Sequence, residues 1–324
     1  MDFFIVKFPI SGVETSLLLP PLVAFVVSTF TAMGGVSGAF LLLPFQMSFL
    51  NFTTPSVSAT NFVYNIVAIP SGVYRYLREG RMAWPLTLIV IIGTLPGVFI
   101  GYYLRILYMP DPRDFKLFVG CVLAYIGIRL LYETTPRSLK GKQEMKKIEE
   151  LFNKQVKALK EEQNTRISAG LPPEAVVKTI SVSWRKVEYS FWGQQFSFPT
   201  MGMFLLAFVV GIIGGTYGIG GGAIIAPFCV AVFHLPVYTV AGAALMGTFL
   251  TSIAGVFFYS MIPAAPGLAT SPDWALGALF GLGGFFGMYC GARLQKFVPQ
   301  KFIKIMLGLM INYVAFRYIW QYFT

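Results

Sequence analysis

Charge is scarce in this chain of 324 residues: 12% are Asp, Glu, Lys or Arg and 56% are hydrophobic. Soluble domains carry about 25% charged residues and about 45–50% apolar ones. That deficit excludes a disordered chain, a coiled coil and almost any soluble enzyme. Histidine is nearly absent, with His234 alone, so His-based metal centres and triads are excluded. The three cysteines, Cys121, Cys229 and Cys290, all sit inside apolar runs. They read as small hydrophobes, not as a disulfide framework or a metal cluster. A cleavable leader is not expected either, because Asp2 and Glu14 precede the first apolar run and no A-x-A site follows it. A polytopic membrane protein remains.

Apolar runs fall at 17–33, 36–50, 55–74, 84–104 and 115–132, and again at 199–216, 219–233, 236–262, 274–292 and 302–320. Most approach the ~20 residues that a span needs. The runs 36–50 and 219–233 are shorter, and each follows a glycine cluster. A 15-residue helix is about 22 Å long, less than the ~30 Å of hydrocarbon. We read these two as half-helices or re-entrant arms.

The two halves repeat. In TAMGGVSGAFLLLPF (31–45) and GGTYGIGGGAIIAPF (214–228), Gly35 matches Gly218, Gly38 matches Gly221, Pro44 matches Pro227 and Phe45 matches Phe228. Further on, Trp84 matches Trp274, Gly93, Gly97 and Gly101 match Gly283, Gly287 and Gly291, and Arg129 matches Arg317. If each half is a broken hairpin plus three spans, an odd number of crossings follows the hairpin, and the second half starts inverted. Charge agrees. On that topology 20 of the 25 Lys and Arg fall on one side, including Arg75, Arg78, Arg81 and all of 134–197. The positive-inside rule makes that side cytoplasmic. The expectation is an all-α polytopic membrane protein of two inverted repeats, 1–133 and 198–324, in the inner membrane, around a cytoplasmic insert at 134–197.

The insert holds 12 Lys or Arg and 7 Glu. Met145, Ile148, Phe152, Val156 and Leu159 predict an amphipathic helix over 143–163, broken by Pro172-Pro173. Ile180, Val182 and Trp184, then Val187, Tyr189 and Phe191, alternate with polar residues and suggest two short strands. We read the segment first as a solvated linker on the inner membrane surface, with a regulatory or partner-binding unit as the alternative.

Candidate chemistry starts at the glycine breaks. A chain broken within hydrocarbon must satisfy its freed N–H and C=O groups inside protein or beside a wet cavity. A helix starting there offers N–H groups and about half a positive charge. Two such N-termini make an anion site without lysine. The GxxxG-spaced glycines 93/97/101 and 283/287/291 read as close packing. Gly218-x-Gly220-x-x-Ala223 lacks the βαβ context of a dinucleotide site.

Thr60, Asn61 and Asn65, with Thr248, Thr251 and Ser252 in the second half, are polar groups inside spans. They should face the interior, as donors to oxyanion oxygens or as interhelical glue; Gln46 could cap the same cavity. Glu133 and Asp273 lie at run ends, so no carboxylate relay or carboxylate sodium site is expected. Arg129 and Arg317 read as snorkelling anchors, Arg75 and Arg78 as topology signals at the cytoplasmic mouth, and Trp84, Trp274 and Trp320 as interface belts.

GGVSGAFLLLP and GIGGGAIIAP resemble the duplicated Gly-rich signature of the sulfite exporter TauE/SafE family, also called the 4-toluene sulfonate uptake permease family. Each signature is followed by a similar segment, Pro55-Ser-Val-Ser-Ala59-Thr60-Asn61 and Pro236-Val-Tyr-Thr-Val-Ala241-Gly242. Arg81-Met-Ala-Trp84 is also similar. The resemblance covers 20–133 and 200–320. It implies an inner-membrane carrier of sulfite, organosulfonates or related sulfur anions, with no cofactor. Carried over by position, it puts Gly35, Ser37, Gly38, Gly218, Gly220 and Gly221 at the substrate. The first signature reads Gly-Gly-Val-Ser-Gly where the family has Gly-x-Gly-Gly-Gly, so the site should be asymmetric. The 134–197 insert exceeds the usual connecting loop.

The expected function is a secondary transporter, most readily an exporter, of small sulfur anions. The substrate is held by both breaks together with Asn61, Asn65, Thr248 and Thr251. An anion channel and a membrane sensor are the alternatives, and an enzyme is not expected. The partners are the anion and the bilayer, not nucleic acid; a homodimer is left open.

Overall fold

Glycine and proline punctuate the apolar runs, and the chain breaks where they fall. A computed structural model describes residues 5–34, 37–78, 82–135, 177–191, 194–262, 264, 266–294 and 300–324. The fold is that of a polytopic helical membrane protein. The expected helix at 143–163 and the Pro172-Pro173 breaker lie outside the described residues.

In the first half, a short hairpin of β1 (Ile5–Lys7) and β2 (Glu14–Ser16) leads into α1 (Leu19–Gly34) and α2 (Ala39–Phe49). Next come α3 (Ser56–Ala68), α4 (Pro70–Arg78), α5 (Trp84–Tyr103), a π-helical turn (Leu104–Tyr108) and α6 (Pro112–Tyr132). The second half has α7 (Thr200–Tyr217), α8 (Gly222–Val232), α9 (Val237–Met261), α10 (Trp274–Leu294) and α11 (Gln300–Phe323). Among the described residues, six helices are long and apolar enough to cross a membrane: α5 with its π turn, α6, α7, α9, α10 and α11. The helices α2 and α8 have 11 residues each, about 17 Å of rise, well short of a crossing.

Three expectations need correction. The run 55–74 is not one helix. Pro70 lacks the N–H that would continue the ladder, so α3 ends at Ala68 and α4 starts afresh, whereas its counterpart α9 is unbroken over 25 residues. The membrane part is helical as expected, but strands outside it number more than expected. The two strands expected in the insert are β3 (Lys178–Val182) and β4 (Lys186–Phe191), but a third, β5 (Gln194–Pro199), pairs antiparallel with β4. The β1–β2 hairpin was likewise unforeseen. Finally, this sheet is more than a solvated linker. Val187, Tyr189, Phe191 and Phe198 are buried, and the Tyr189 hydroxyl lies 2.9 Å from Thr239 Oγ1 at the start of α9. Burial pushes the Tyr189 phenol pKa up, so it stays neutral.

The halves interlock. Gly93, Gly97 and Gly101 on α5 lie directly on the α7 backbone, at Phe204–Ala207, Phe208–Ile212 and Ile212–Thr216 in turn. In the same manner Gly283, Gly287 and Gly291 on α10 lie on Pro21, Phe25 and Thr29 of α1. A side chain at any of these positions would collide with backbone. Thr216 Oγ1 donates to Gly101 O (3.1 Å) and Thr29 Oγ1 to Gly287 O (3.2 Å) across the two seams. The first helix of each half thus packs parallel to the fourth-run helix of the other.

Equivalent helices, by contrast, pack antiparallel. On α6 and α11, Gly120 meets Ala315 and Tyr318, Gly127 meets Asn312, and Leu131 meets Gly308. Along α9, Phe62 of α3 meets Gly255 and Tyr259, and Gly72 of α4, further along the chain, meets Leu245. One end of the bundle carries the β1–β2 hairpin, where Ser11 Oγ donates to Asp273 Oδ2 (2.8 Å) and Asp273 Oδ1 caps α10 by accepting from Leu276 N. The other end carries the three-stranded sheet and the Lys304–Glu133 ion pair (2.7 Å). We call these the hairpin end and the sheet end.

Candidate functional site

The second glycine break is a tight reversal between α7 and α8. Gly218 and Gly220 adopt left-handed backbone, with φ of +88° and +77°, a region costly for residues with a Cβ. The N–H groups of Gly218, Ile219 and Gly220 all turn back to Gly214 O, at 2.9, 3.1 and 3.4 Å. Gly221 N donates to Thr251 Oγ1 at 3.3 Å. Three helices close on this turn so tightly that only glycine fits. The Ser58 backbone stands behind Gly218, the Thr94 side chain faces Gly221, and Ala244 O with Thr248 Oγ1 faces Gly222. Thr248 and Ser252 face Gly220, the Ser252 hydroxyl standing 3.3 Å from where a Cβ would project.

At the first break, Gly35 lies outside the described residues. Half-buried Ser37 accepts through Oγ from Ala39 N (3.3 Å), and Gly38 O accepts from Leu41 N and Leu42 N (3.1 Å each). Three hydroxyls cluster over Gly38. A Cβ there would lie 2.6 Å from Tyr64 Oη, 2.9 Å from Ser28 Oγ and 3.4 Å from Thr31 Oγ1. Ser28 Oγ and Tyr64 Oη are themselves hydrogen-bonded at 2.9 Å.

The two breaks meet. The amide nitrogen of Asn61 donates to Ala39 O, the first residue of α2, and to Gly218 O in the second break, both at 3.0 Å. One turn along α3, Asn65 Nδ2 donates to Ile219 O (3.1 Å). Tyr217 Oη donates to Phe40 O (2.7 Å). Gly38, Asn61, Asn65, Gly218, Gly220, Gly221, Thr248 and Thr251 thus form one buried cluster, with Ser37 at its edge. Thr60 stands apart, its Oγ1 accepting from Asp273 N (2.9 Å).

The direction of these bonds differs from what the sequence suggested. Asn61 and Asn65 spend their N–H donors on main-chain carbonyls exposed by the breaks, and it is their Oδ1 atoms that have no partner. Thr248 and Thr251 donate to Ala244 O (2.9 Å) and Gly247 O (2.6 Å) of their own helix. Ala39 N, Leu41 N and Leu42 N are already paired, so among the described residues the donors left for a ligand are Phe40 N at the start of α2, the first-turn N–H groups of α8 and the buried, unpartnered Ser252 hydroxyl.

Sequence reading missed Ser28, Thr31, Tyr64 and Thr94. Ser28 and Thr31, three apart inside an apolar run, were the available signal. Arg105, just past the apolar run 84–104, is completely buried. Gln46 is buried on α2 with neither side-chain amide atom paired. Among the described residues no group of three His, Cys, Asp or Glu could hold a metal ion. His234 lies in the turn between α8 and α9, away from the breaks, with φ of +52°.

The chain is 20% identical over 313 residues to "Probable membrane transporter protein YunE" of Bacillus subtilis (strain 168), covering 94% of this chain and 98% of that one. "Probable membrane transporter protein YdhB" of the same organism is 29% identical over 110 residues, 33% of this chain and 41% of that one. No solved structure matches. The sulfite exporter TauE/SafE family model matches residues 21–318, from α1 into α11 with both glycine breaks, and the chain belongs to that family of membrane transporters.

Proposed function

We propose that this protein is a secondary transporter that exports small sulfur oxyanions, sulfite or organosulfonates, by alternating access between two inverted halves. The observation that carries the reading is the Asn61 amide, which bonds both breaks at once. It brings the start of the α2 half-helix within a few ångströms of the second break, in the protein centre. Each half-helix directs N–H groups and a partial positive charge toward that point. The anion would displace the carbonyl contacts of the resting cluster and take donors from the starts of α2 and α8 and from Ser252. Antiparallel packing of α6 on α11 and of α3 on α9 supports the inversion, because repeats related by an axis along the membrane normal would run parallel. The excess of Lys and Arg supports a cytoplasmic sheet end.

An inside-negative potential supplies about 2.3 kcal/mol per charge per 100 mV for anion exit, so export needs no coupling ion. The test is flux of sulfite, thiosulfate, sulfoacetate and taurine from proteoliposomes, with potential and pH gradients imposed separately. We expect saturable efflux of a sulfur oxyanion, faster at inside-negative potential. Non-saturating currents would make it a channel, and absence of flux for all four would refute the reading.

A further inference from the structure

Arg105 is the largest fully buried side chain of the protein among the described residues. It sits on the π-helical turn that ends α5, at the hairpin end. Such turns insert one extra residue into a helix and recur at functional sites. A cation buried in a membrane bundle is satisfied by a carboxylate, by backbone carbonyls, by a wet cavity or by a ligand. Among the described residues, no Asp or Glu pairs with Arg105. Its Nη1 donates to Met109 O, and its Nη2 reaches Thr53 O only at 3.4 Å. The guanidinium lies on the Phe115 ring, 3.7 Å from its centroid.

One edge of the guanidinium is left open. Nε has no partner, and beside it Nη2 holds only the long bond to Thr53. Together Nε and Nη2 make the side-on fork that matches two oxygens of a tetrahedral or pyramidal oxyanion. The hydroxyl of Thr54, next to Thr53, is also buried and unpartnered. Tyr259 lies in the field of Arg105, and its hydroxyl donates to Gly215 O (3.2 Å), three residues before the second break. Tyr259 thus stands between the second break and Arg105.

We propose that Arg105 and Thr54 form a second oxyanion site, on the hairpin side of the breaks, for a small oxyanion on its way through the protein. This rests on the transport reading above. The anion takes the Nε–Nη2 edge and the Thr54 hydroxyl, and Arg105 releases Thr53 O as it does so. Neutralising a buried unpaired cation then draws the anion out of the central cluster.

The test uses the full chain in proteoliposomes, with sulfite efflux measured against concentration, and sulfite protection against thermal unfolding in detergent as a second readout. Thr54 makes no hydrogen bond to lose, so Thr54→Val should fold as the wild type does. Its half-saturating and half-protecting sulfite concentrations should rise about threefold, one neutral hydrogen bond. Arg105→Gln should raise both about tenfold or more, one charge-assisted bond. Wild-type values in both variants would overturn the site. So would a slower maximal rate at unchanged half-saturation, which would make Arg105 a latch on Thr53. If Arg105→Gln does not fold, Thr54→Val alone decides, by the same two concentrations. Wild-type protein that neither carries nor is protected by any of sulfite, thiosulfate, sulfoacetate and taurine would overturn the transport reading and this site with it. Normal wild-type flux with unaltered variants would overturn the site alone.

Discussion

Gly38→Ala, alone and with Tyr64→Phe, tests whether the hydroxyl cluster over the first break is as close as it looks. The backbone at Gly38 is right-handed, with φ of −64° and ψ of −25°, so alanine brings no dihedral strain. The added carbon would sit 2.6 Å from Tyr64 Oη and 2.9 Å from Ser28 Oγ. Ordinary contacts there are several tenths of an ångström longer, so Tyr64 must move. Overpacking of this kind costs about 1–3 kcal/mol. Propensity does not offset it, because Gly38 caps α2, and at a cap alanine is the poorer residue by a few tenths of a kcal/mol. We expect Gly38→Ala to cost about 2 kcal/mol.

Tyr64→Phe alone loses the 2.9 Å bond to Ser28, worth about 0.6 kcal/mol in a membrane bundle. In the double variant the 2.6 Å contact no longer exists. Ser28, freed from its partner, can rotate away from the new methyl. The double variant should therefore be little worse than Tyr64→Phe alone, a favourable coupling of about 1–2 kcal/mol. Reversible unfolding by SDS titration in mixed micelles measures all four corners, with sulfite efflux alongside. Additivity within about 0.5 kcal/mol would refute the reasoning, since Tyr64 would then not be what the methyl meets.

Gly222→Ala should be the most damaging single methyl at the breaks, because the carbon would overlap Ala244 O on the α9 backbone, which cannot rotate away; a monodisperse gel-filtration peak at wild-type yield would refute this. Gly267→Ala is its control, strained only by φ of +85° in open space, and should cost about 1–2 kcal/mol. Asn61→Asp should be less stable than Asn61→Leu, because a carboxylate would face two carbonyl oxygens; the opposite order in SDS unfolding would mean that the amide is turned the other way. Deleting 140–170 should leave sulfite efflux intact, whereas deleting 178–191 should lower thermal stability in detergent, since it strips Val187, Tyr189 and Phe191 from the bundle.

What the sequence disclosed was whatever repeats or punctuates. Two copies of a Gly-rich signature, each before a run too short to span, gave away the half-helices α2 and α8. The GxxxG spacing gave away the α5–α7 and α1–α10 seams. Hidden were the features that depend on distant backbone. Nothing local says that Asn61 and Asn65 will donate to carbonyls at 218 and 219 instead of to a ligand, because those carbonyls become acceptors only once the break forms. Arg105 sits near the end of an apolar run, where snorkelling is the ordinary reading, and only the fold shows that loop, π turn and Phe115 enclose it. The break at Pro70 was legible, since proline cannot continue a helix, but hydropathy runs through it. Strands of three residues, as in β1 and β2, are too short for alternation to register.

If the proposed alternating access between inverted halves holds, the inequality of the halves has an energetic consequence. In a perfectly symmetric inverted pair, the two-fold exchange of roles would produce two conformations of equal free energy. Here Asn61 and Asn65 of α3 make three hydrogen bonds to the breaks, two to the second break and one to Ala39 O at the start of α2. The repeat puts Ala244 and Thr248 at the equivalent places on α9. Alanine has no donor, and Thr248 Oγ1 already donates within its own helix. The exchanged conformation lacks those three bonds. At about 0.6 kcal/mol each, it lies about 2 kcal/mol higher, a bias of roughly 30-fold toward the arrangement described. Asn61→Leu removes two of the three bonds and should shrink the bias to about threefold. A cysteine placed at Thr54 should then be labelled by an impermeant maleimide at a different rate in the Asn61→Leu background, at equal expression. Identical labelling rates in the two backgrounds would mean that the amides brace both conformations equally, and that the bias has another origin.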